Sequence, residues 1–309
     1  MATVVAAVKR WVWRLVTWPL WAALVIALYY AVGAHFAHRI DTDPDFAATV
    51  DVPDGGARTV AVLAALVERE VDQHGWVAND PWIFPSSTLD DMATFQTTLL
   101  AAVNRTLADL EDLVEGDAPS PALEAAMGAL AMPGDRWTFD FAQGFAPQQT
   151  SEQFYRDGVA ALRRFNGELA AGETRLALDA AAATAILERL AAELDAAAAA
   201  NLRHVADRGG HWLDLRVDDR FLASRGEAYA VQLLVPAMAA DGEVEVGAAT
   251  VERTARALAS TSVLQPWLVL NGRADAQWRA SHLAAQAAYI QRAARDVRAL
   301  ASQSTAGGA

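Results

Sequence analysis

The sequence predicts an all-α fold, in which a single N-terminal transmembrane helix precedes a multi-helix bundle with long amphipathic helices and at most a minor β element. The first reason is composition, because a chain of 309 residues that is 53% hydrophobic, with only 11 Pro and 19 Gly, is typical of a packed helical protein. The second is an uncharged apolar run near the N-terminus. The third is that apolar residues beyond this run recur mostly at helical spacing.

The first element is the predicted transmembrane helix at 15–37, whose uncharged core runs from Leu15 to Ala34. A helix of this length rises by about 1.5 Å per residue and spans about 30 Å, which is the thickness of the hydrocarbon layer. Trp residues lie toward one end, and Tyr29 and Tyr30 lie toward the other, where such rings favour the headgroup level. We therefore expect the lipid bilayer to be a partner of Leu15–Ala34.

The charges around this helix predict its orientation. Lys9, Arg10 and Arg14 form a basic N-terminus, 1–14, whereas acidic residues predominate after the helix. The positive-inside rule places the N-terminus in the cytoplasm. We thus expect a single-pass protein of the bacterial inner membrane with a periplasmic C-terminal domain.

A cleaved signal peptide is the alternative interpretation of the same segment. Val32 and Ala34 form a small-residue pair that permits cleavage, but the apolar run is longer than the core of a typical signal peptide. A buried core helix is disfavoured, because the apolar character extends around the whole helix instead of along one face.

An acidic linker containing Pro and Gly is predicted at 38–57, followed by the extracytoplasmic helical domain at 58–303 and a disordered tail at 304–309. Apolar periodicity and capping residues predict helices over about 58–73, 87–114, 173–207, 219–238, 250–259 and 274–303, with a further helix that starts at 150 or 151.

Two segments depart from a simple helical pattern. Residues His211 to Asp219 alternate between apolar and polar, which predicts an isolated strand. The run 195–200 is nearly pure Ala, which favours helix but packs only against closely approaching neighbours. We therefore expect a thin, extended arm or hairpin around 173–207.

Composition and motifs exclude several classes of function. The chain contains no Cys, which rules out disulfides, thiolate metal sites and a Cys nucleophile. A formal charge of −13 argues against binding to nucleic acid. The six His lack the spacing of metal ligands, and no phosphate-loop, dinucleotide or nucleophile-elbow motif is present. The sequence therefore predicts no cofactor, no metal and no catalytic residue.

Two polar constellations, one in the loop near residue 80 and one near residue 215, supply a candidate interaction groove. Its members are Asn79, Asp80, Trp82, Asp90, Trp212, Asp214, Asp218, Arg225, Trp267 and Asn271. Turn formation and helix capping account for many of these polar residues without any site. An alternative is acid–base chemistry on an envelope glycan by the acidic cluster from Asp214 to Glu227.

The order and spacing of several segments resemble the DUF2333 family of bacterial membrane proteins over nearly the full length. The matching pieces are the Trp-rich anchor, Asn79-Asp80 with Leu89-Asp-Asp-Met, Trp137-Thr-Phe-Asp-Phe leading to Phe154-Tyr-Arg-Asp-Gly, Trp212-Leu-Asp-Leu-Arg-Val-Asp-Asp, Arg225-Gly226, Leu264 to Gly272, and the final helix around Ser281-His282 and Ala288-Tyr289-Ile290. The resemblance implies a membrane-anchored helical protein and supplies neither an activity nor a catalytic residue.

The anchor, the long amphipathic helices and the lack of a reactive constellation together favour one function. We expect a non-enzymatic protein-interaction or scaffold component of the cell envelope, with a protein partner or a homo-oligomer. The alternatives are the glycan-acting enzyme and a binder of a small apolar ligand between helices.

Overall fold

The computed structural model of the chain describes residues 2–116, 120–139, 146–211, 214–242, 248–266, 268–273, 275 and 277–306. The predicted all-α class is confirmed, since the described residues form ten helices and one two-stranded pair. The helices are α1 Ala2–Ala37, α2 Phe46–Thr49, α3 Arg58–Glu68, α4 Asp90–Glu111, α5 Pro121–Leu130, α6 Ser151–Ala171, α7 Ala180–Arg208, α8 Val217–Asp241, α9 Ala248–Ala259 and α10 His282–Ala306.

Short elements complete the fold. A π-helical turn at Arg69–Gln73 continues α3, and 3-10 turns occupy Pro85–Thr88 and Ser260–Ser262. The strands β1 Val114–Glu115 and β2 Arg175–Leu176 pair antiparallel. This pair is the minor β element that the sequence allows for.

The helix α8 forms the centre of the body, because α3, α4, α7, α9 and α10 all pack against it. Asp218 and Asp219 lie in its first turn, where carboxylates favour the positive end of the helix dipole. The predicted strand over 211–219 is wrong, since the helix begins at Val217 and the described residues just before it form a turn. Burial of Val217 and Phe221, which stand at i and i+4 of a helix, outweighs the short alternation.

The helices α7 and α10 form the most extensive helix pair in the body. Ala191 and Ala198 of α7 and Ala287 and Ala294 of α10 are fully buried, since small side chains let two helices approach closely. The prediction of a thin, extended arm or hairpin here is therefore wrong, because α10 and α8 pack against the Ala-rich helix. The last helix also begins later than residue 274, after an antiparallel bridge between Asn271 and Ser281.

The helix α1 differs from the other long helices because its apolar surface is exposed. Its stretch Trp13–Ala37 is long and apolar enough to cross a membrane, and none of this stretch is buried. Helical structure also extends back to Ala2, through the basic N-terminal residues.

The acidic segment 38–57 is packed along the body. The Asp241 carboxylate, at the end of α8, accepts hydrogen bonds from the backbone N–H groups of Arg58 and Thr59 at 2.6 Å each, and so caps α3. The hydroxyl of Tyr229 donates to the carbonyl oxygen of Asp43 at 3.0 Å. This segment therefore fixes the end of α1 to the central helix.

Candidate functional site

A cavity of about 620 Å³, here named the α1–α8 pocket, lies between the C-terminal end of α1 and the body. It is lined by Ala31, Ala34, His35, His38, Ile40, Leu89, Asp91, Asp218, Phe221, Leu222, Arg225, Gln265, Pro266, Leu268 and Val269. The pocket thus lies between the apolar N-terminal helix and the folded domain, which also contact each other at the turn Pro85–Thr88.

One face of α8 supplies the polar wall of this pocket. Asp218, Leu222 and Arg225 stand at positions i, i+4 and i+7, which share a helix face. The structure therefore brings two of the predicted groove residues, Asp218 and Arg225, into one site.

Arg225 is the buried cation of the pocket, with 9% of its surface exposed. Its Nη2 donates to Thr42 Oγ1 at 3.0 Å, whereas its Nε has no hydrogen-bond partner within the described ranges. Burial lowers the pKa of Arg225, although a guanidinium remains charged in proteins. One donor of a charged group is therefore left unpaired inside the protein, next to the pocket.

Asp91, in the first turn of α4, is the carboxylate that the pocket perturbs most. Burial raises its pKa to about 6, and the negative charges of Asp218, Asp90 and Asp219 add to that effect. Its Oδ1 is buried and finds no hydrogen-bond partner in the part of the chain that the structure describes. Asp91 therefore lies among other negative charges at this side of the pocket.

His38 lies at the start of the acidic segment and also lines the pocket. Burial lowers its pKa, and the charges of Arg225 and His35 act in the same direction. A pocket with a buried guanidinium and two carboxylates suits a ligand that carries charges of both signs. Within the described residues, no group of His, Asp and Glu has the arrangement of a metal site.

Two other predicted groove residues, Asp90 and Trp267, are close to pocket residues in sequence. Asp90 is exposed at the start of α4, beside Asp91. Trp267 lies outside the described residues, although Pro266 and Leu268 on either side of it line the pocket.

Asp214 and Asn271 form a separate cluster at the end of α7. Asp214 Oδ2 accepts a hydrogen bond from Asn271 Nδ2 at 2.7 Å and lies 2.8 Å from His204 Nε2. Burial disfavours the charged carboxylate, but these hydrogen bonds outweigh it and lower the pKa of Asp214. The cluster joins α7 to the loop before α10, and Trp212 beside it lies outside the described residues.

Asn79, Asp80 and Trp82 belong to the loop between α3 and α4. Asn79 Nδ2 donates to the Arg136 carbonyl oxygen at 2.8 Å and to Glu152 Oε2 at 2.7 Å. Asp80 accepts a hydrogen bond from the Ser86 hydroxyl. These side chains shape the loop, whereas Trp82 is 79% exposed. The ten predicted residues therefore do not share one groove.

The acidic residues of the glycan-enzyme alternative are also separated. Asp214 pairs with His204, Asp218 faces the α1–α8 pocket, and Glu227 lies in a different groove of about 400 Å³ between α4, α7 and α8. This separation gives no support to a shared acid–base pair. The apolar-ligand alternative gains no support either from the closed apolar space near Trp76 and Leu99, whose 10 Å³ is too small for a ligand.

Two ionic groups, one partly exposed and one buried, were not predicted from the sequence. Arg105 Nη2 lies 2.7 Å from both carboxylate oxygens of Glu227, and its Nε donates to Glu193 Oε1 at 2.6 Å. Arg69 and Glu70 form the second group inside the core. For Arg69 and Glu70, the available signal was the charged run 68–70 between Val67 and Val71.

Glu227 is expected to make the stability of the protein depend on pH. Burial raises its pKa from 4.5 to about 7, against the opposing effect of Arg105. The folded state then binds this proton more tightly than the unfolded chain, so that its stabilisation is complete below pH 4.5 and is lost as the pH rises through about 7. We expect the free energy of unfolding to fall by on the order of 2 kcal/mol between about pH 5 and about pH 8.

Glu227→Gln should flatten this profile, measured by guanidinium unfolding at a series of pH values. The pKa of Asp91 is raised in the same direction and also contributes to the pH dependence of stability. The part of that dependence that disappears in Glu227→Gln is therefore the contribution of Glu227. Glu188→Gln, at an exposed position of α7, is the matched control and should leave the profile unchanged. A Gln variant with the native pH dependence would contradict the assignment.

Comparisons with protein-family models, curated proteins and solved structures found no match to this chain. The resemblance to the DUF2333 family therefore stays a prediction.

Proposed function

We propose that the chain is a single-pass inner-membrane protein whose helical domain lies in the periplasm and acts as a non-enzymatic interaction or scaffold component of the cell envelope. The observation that carries this proposal is the 25-residue stretch Trp13–Ala37, which has a mean hydropathy of 1.8 and is entirely unburied. A continuous apolar helix surface of this kind is stable in lipid and unfavourable in water.

The loop at Trp82–Phe84, here named the aromatic loop, supports a position of the domain on the membrane surface. Tyr29 donates to the Ile83 carbonyl oxygen at 3.0 Å, and Tyr30 donates to that of Trp82. The side chains of Trp82, Ile83 and Phe84 are 79%, 47% and 43% exposed beside these tyrosines. Exposed aromatic residues next to a membrane helix favour the headgroup level.

The spacing of aromatic residues along α1 also supports a position of Tyr29 and Tyr30 at the headgroup level of the membrane. Trp11 and Trp13 precede Tyr29 and Tyr30 by a distance of about 25 Å at 1.5 Å per residue. This distance approaches the hydrocarbon thickness of about 30 Å. The basic residues then lie at the Trp end and the acidic segment beyond the Tyr end, which supports a cytoplasmic N-terminus.

Trp278 supports the interaction half of the proposal, since 97% of its surface is exposed. Trp is enriched among the residues that dominate binding at protein interfaces. We place the contact with a protein partner, or with a second copy of the chain, on the face that includes Trp278.

Single cysteines test the topology, because the native chain has none. In intact spheroplasts, a membrane-impermeant maleimide should label Leu215→Cys in the exposed turn before α8, whereas Ala7→Cys should be labelled only after lysis. Leu20→Cys should resist labelling in both cases. Labelling of Ala7→Cys from outside, or loss of residues 1–34 from the mature protein, would overturn the topology.

A photo-cross-linking residue at position 278 tests the scaffold role in the same membranes. The expected product is a species of higher mass, which should be weaker when the cross-linker is placed at Val263, a position that is 69% exposed. Recovery of monomer alone from both positions would contradict the interaction role.

A further inference from the structure

We propose that the α1–α8 pocket binds the headgroup of an amine-bearing, zwitterionic phospholipid, with the ammonium group at Asp91 and Asp218 and the phosphate at Arg225. This inference rests on the proposed function, because the lipid comes from the bilayer that α1 crosses. It goes beyond that function by giving the domain a ligand of defined chemistry.

The position of the pocket along α1 selects a headgroup as the occupant. The α1 residues that line it, from Ala31 to His35, directly follow Tyr29 and Tyr30. At 1.5 Å per residue they lie about 2–9 Å beyond the tyrosine rings, which matches the polar layer of about 5–8 Å on each side of the hydrocarbon. The wall of α1 therefore runs through the layer that headgroups occupy.

Arg225 supplies a site for the phosphate. The side chain is more than nine-tenths buried, and its Nε is unpaired among the described residues, while Thr42 takes only Nη2. A guanidinium matches phosphate oxygens in a fork of parallel hydrogen bonds. A phosphate in the pocket would bind the part of the guanidinium that lines the cavity, whereas Nε itself is enclosed by protein.

Asp91 and Asp218 supply a site for the ammonium group. Asp91 Oδ1 is buried without a partner, and Asp218 accepts a hydrogen bond at 3.2 Å from the backbone N–H of Asp219. An ammonium group between the two carboxylates would relieve their repulsion, which acts on Asp91 together with burial. A headgroup with only negative charge would meet the same carboxylates and be disfavoured, so that the site discriminates by charge.

The remaining lining suits the part of a lipid that joins the headgroup to its chains. Leu222, Pro266 and Leu268 are apolar, and Ala31 and Ala34 leave α1 narrow along the cavity. The volume of about 620 Å³ leaves room for a headgroup and its glycerol unit. The chains would then continue beside α1 into the hydrocarbon.

The experiment is lipid retention by the full-length protein in nanodiscs made from equal parts of phosphatidylethanolamine and phosphatidylglycerol. After transfer to detergent, native mass spectrometry should show the ethanolamine lipid enriched on the protein. Asp218→Asn and Asp91→Asn should each reduce that enrichment by about tenfold, which is the scale of losing one charge-assisted interaction. Asp112→Asn, at the exposed opposite end of α4, is the matched control and should retain native enrichment.

Two further arms make the outcome decisive. Glycerophosphoethanolamine without acyl chains should compete only weakly, whereas full competition at equal concentration would assign the site to a soluble ligand and overturn the lipid proposal. Equal retention of both lipids, or native enrichment in both Asp variants, would also overturn it.

The labelling of Leu20→Cys distinguishes failure of the pocket proposal from failure of the proposed function. If Leu20→Cys is protected in membranes while no enrichment occurs, the pocket proposal alone fails. If Leu20→Cys is freely labelled, the proposed function fails.

Discussion

Replacing Arg69 with Ala should lower the free energy of unfolding by about 3–5 kcal/mol, as expected when one partner of a buried ion pair is removed. Arg69 and Glu70 are each 3% exposed. The Arg69 Nε and Nη2 donate to Glu70 Oε1 at 3.1 and 3.0 Å. Without the guanidinium, the Glu70 carboxylate stays in the core beside His74 Nδ1, 3.2 Å from Oε1, and Gln96 Nε2, but without its permanently charged partner.

The loss extends beyond this pair because Arg69 joins three parts of the fold. Its Nη1 donates to the Tyr229 hydroxyl of α8 at 2.8 Å, and its guanidinium lies 4.4 Å from the ring centre of Phe46 in α2. Its Nη2 also donates to the Asp41 carbonyl oxygen at 3.3 Å. Arg69→Ala therefore also weakens the attachment of the acidic segment to the central helix.

Guanidinium unfolding of the detergent-solubilised protein, followed by far-ultraviolet circular dichroism, measures the effect. Arg163→Ala is the matched control, since its pair with Glu68 is exposed and should contribute at most about 1 kcal/mol. Arg69→Met combined with Glu70→Gln should recover part of the stability, because neither charge is then left alone. A loss below about 1 kcal/mol for Arg69→Ala would refute the importance of this pair.

Local signals explain how much of the fold the sequence could predict. Thr150 and Gln153 form the capping box that starts α6, and both partners lie within one turn. The apolar stretch of α1 and the periodicity of α4 are likewise properties of contiguous residues. Such features need no knowledge of the rest of the chain.

Contacts between distant residues explain what the sequence could not predict. Asp241 caps α3 across more than 180 residues. The Pro, Gly and acidic residues of the segment 38–57 predict a linker, whereas its partners Arg69 and Tyr229 lie far from it in sequence. The buried Ala-rich face of α7 depends in the same way on the approach of α10. Pairing of this kind follows from the tertiary fold alone.

The candidate site shows the same division at the level of single residues. Asp218 and Arg225 are seven positions apart, and their shared helix face follows from the sequence once the helix is known. The sequence predicts Asp90 as a groove residue, whereas its neighbour Asp91 is the one that lines the pocket. Adjacent residues on a helix point in directions about 100° apart, and only packing against α8 decides which one faces the cavity.

Phe95→Ala should lower the free energy of unfolding by about 3–5 kcal/mol, the cost of removing a fully buried aromatic ring. Phe95 lies at the contact between α4 and α8 with no exposed surface. Its ring is stacked on Tyr229 at 6.3 Å between centres. Gly226 of α8 lies so near that a Cβ there would be only 3.0 Å from the Phe95 carbonyl oxygen, so the two helix backbones are already close and the cavity has little freedom to collapse.

The loss is measured by the same guanidinium unfolding, and Phe36→Ala, at an exposed position of α1, is the matched control, with a change within about 0.5 kcal/mol. Because Phe95 supports the tyrosine that accepts the hydrogen bond from Arg69, the effects of Phe95→Ala and Arg69→Ala should not add. A double variant whose loss equals the sum of the single losses would show that Tyr229 keeps its position without Phe95. A loss smaller than the sum would establish that the ring stack and the buried ion pair act as one unit around α8.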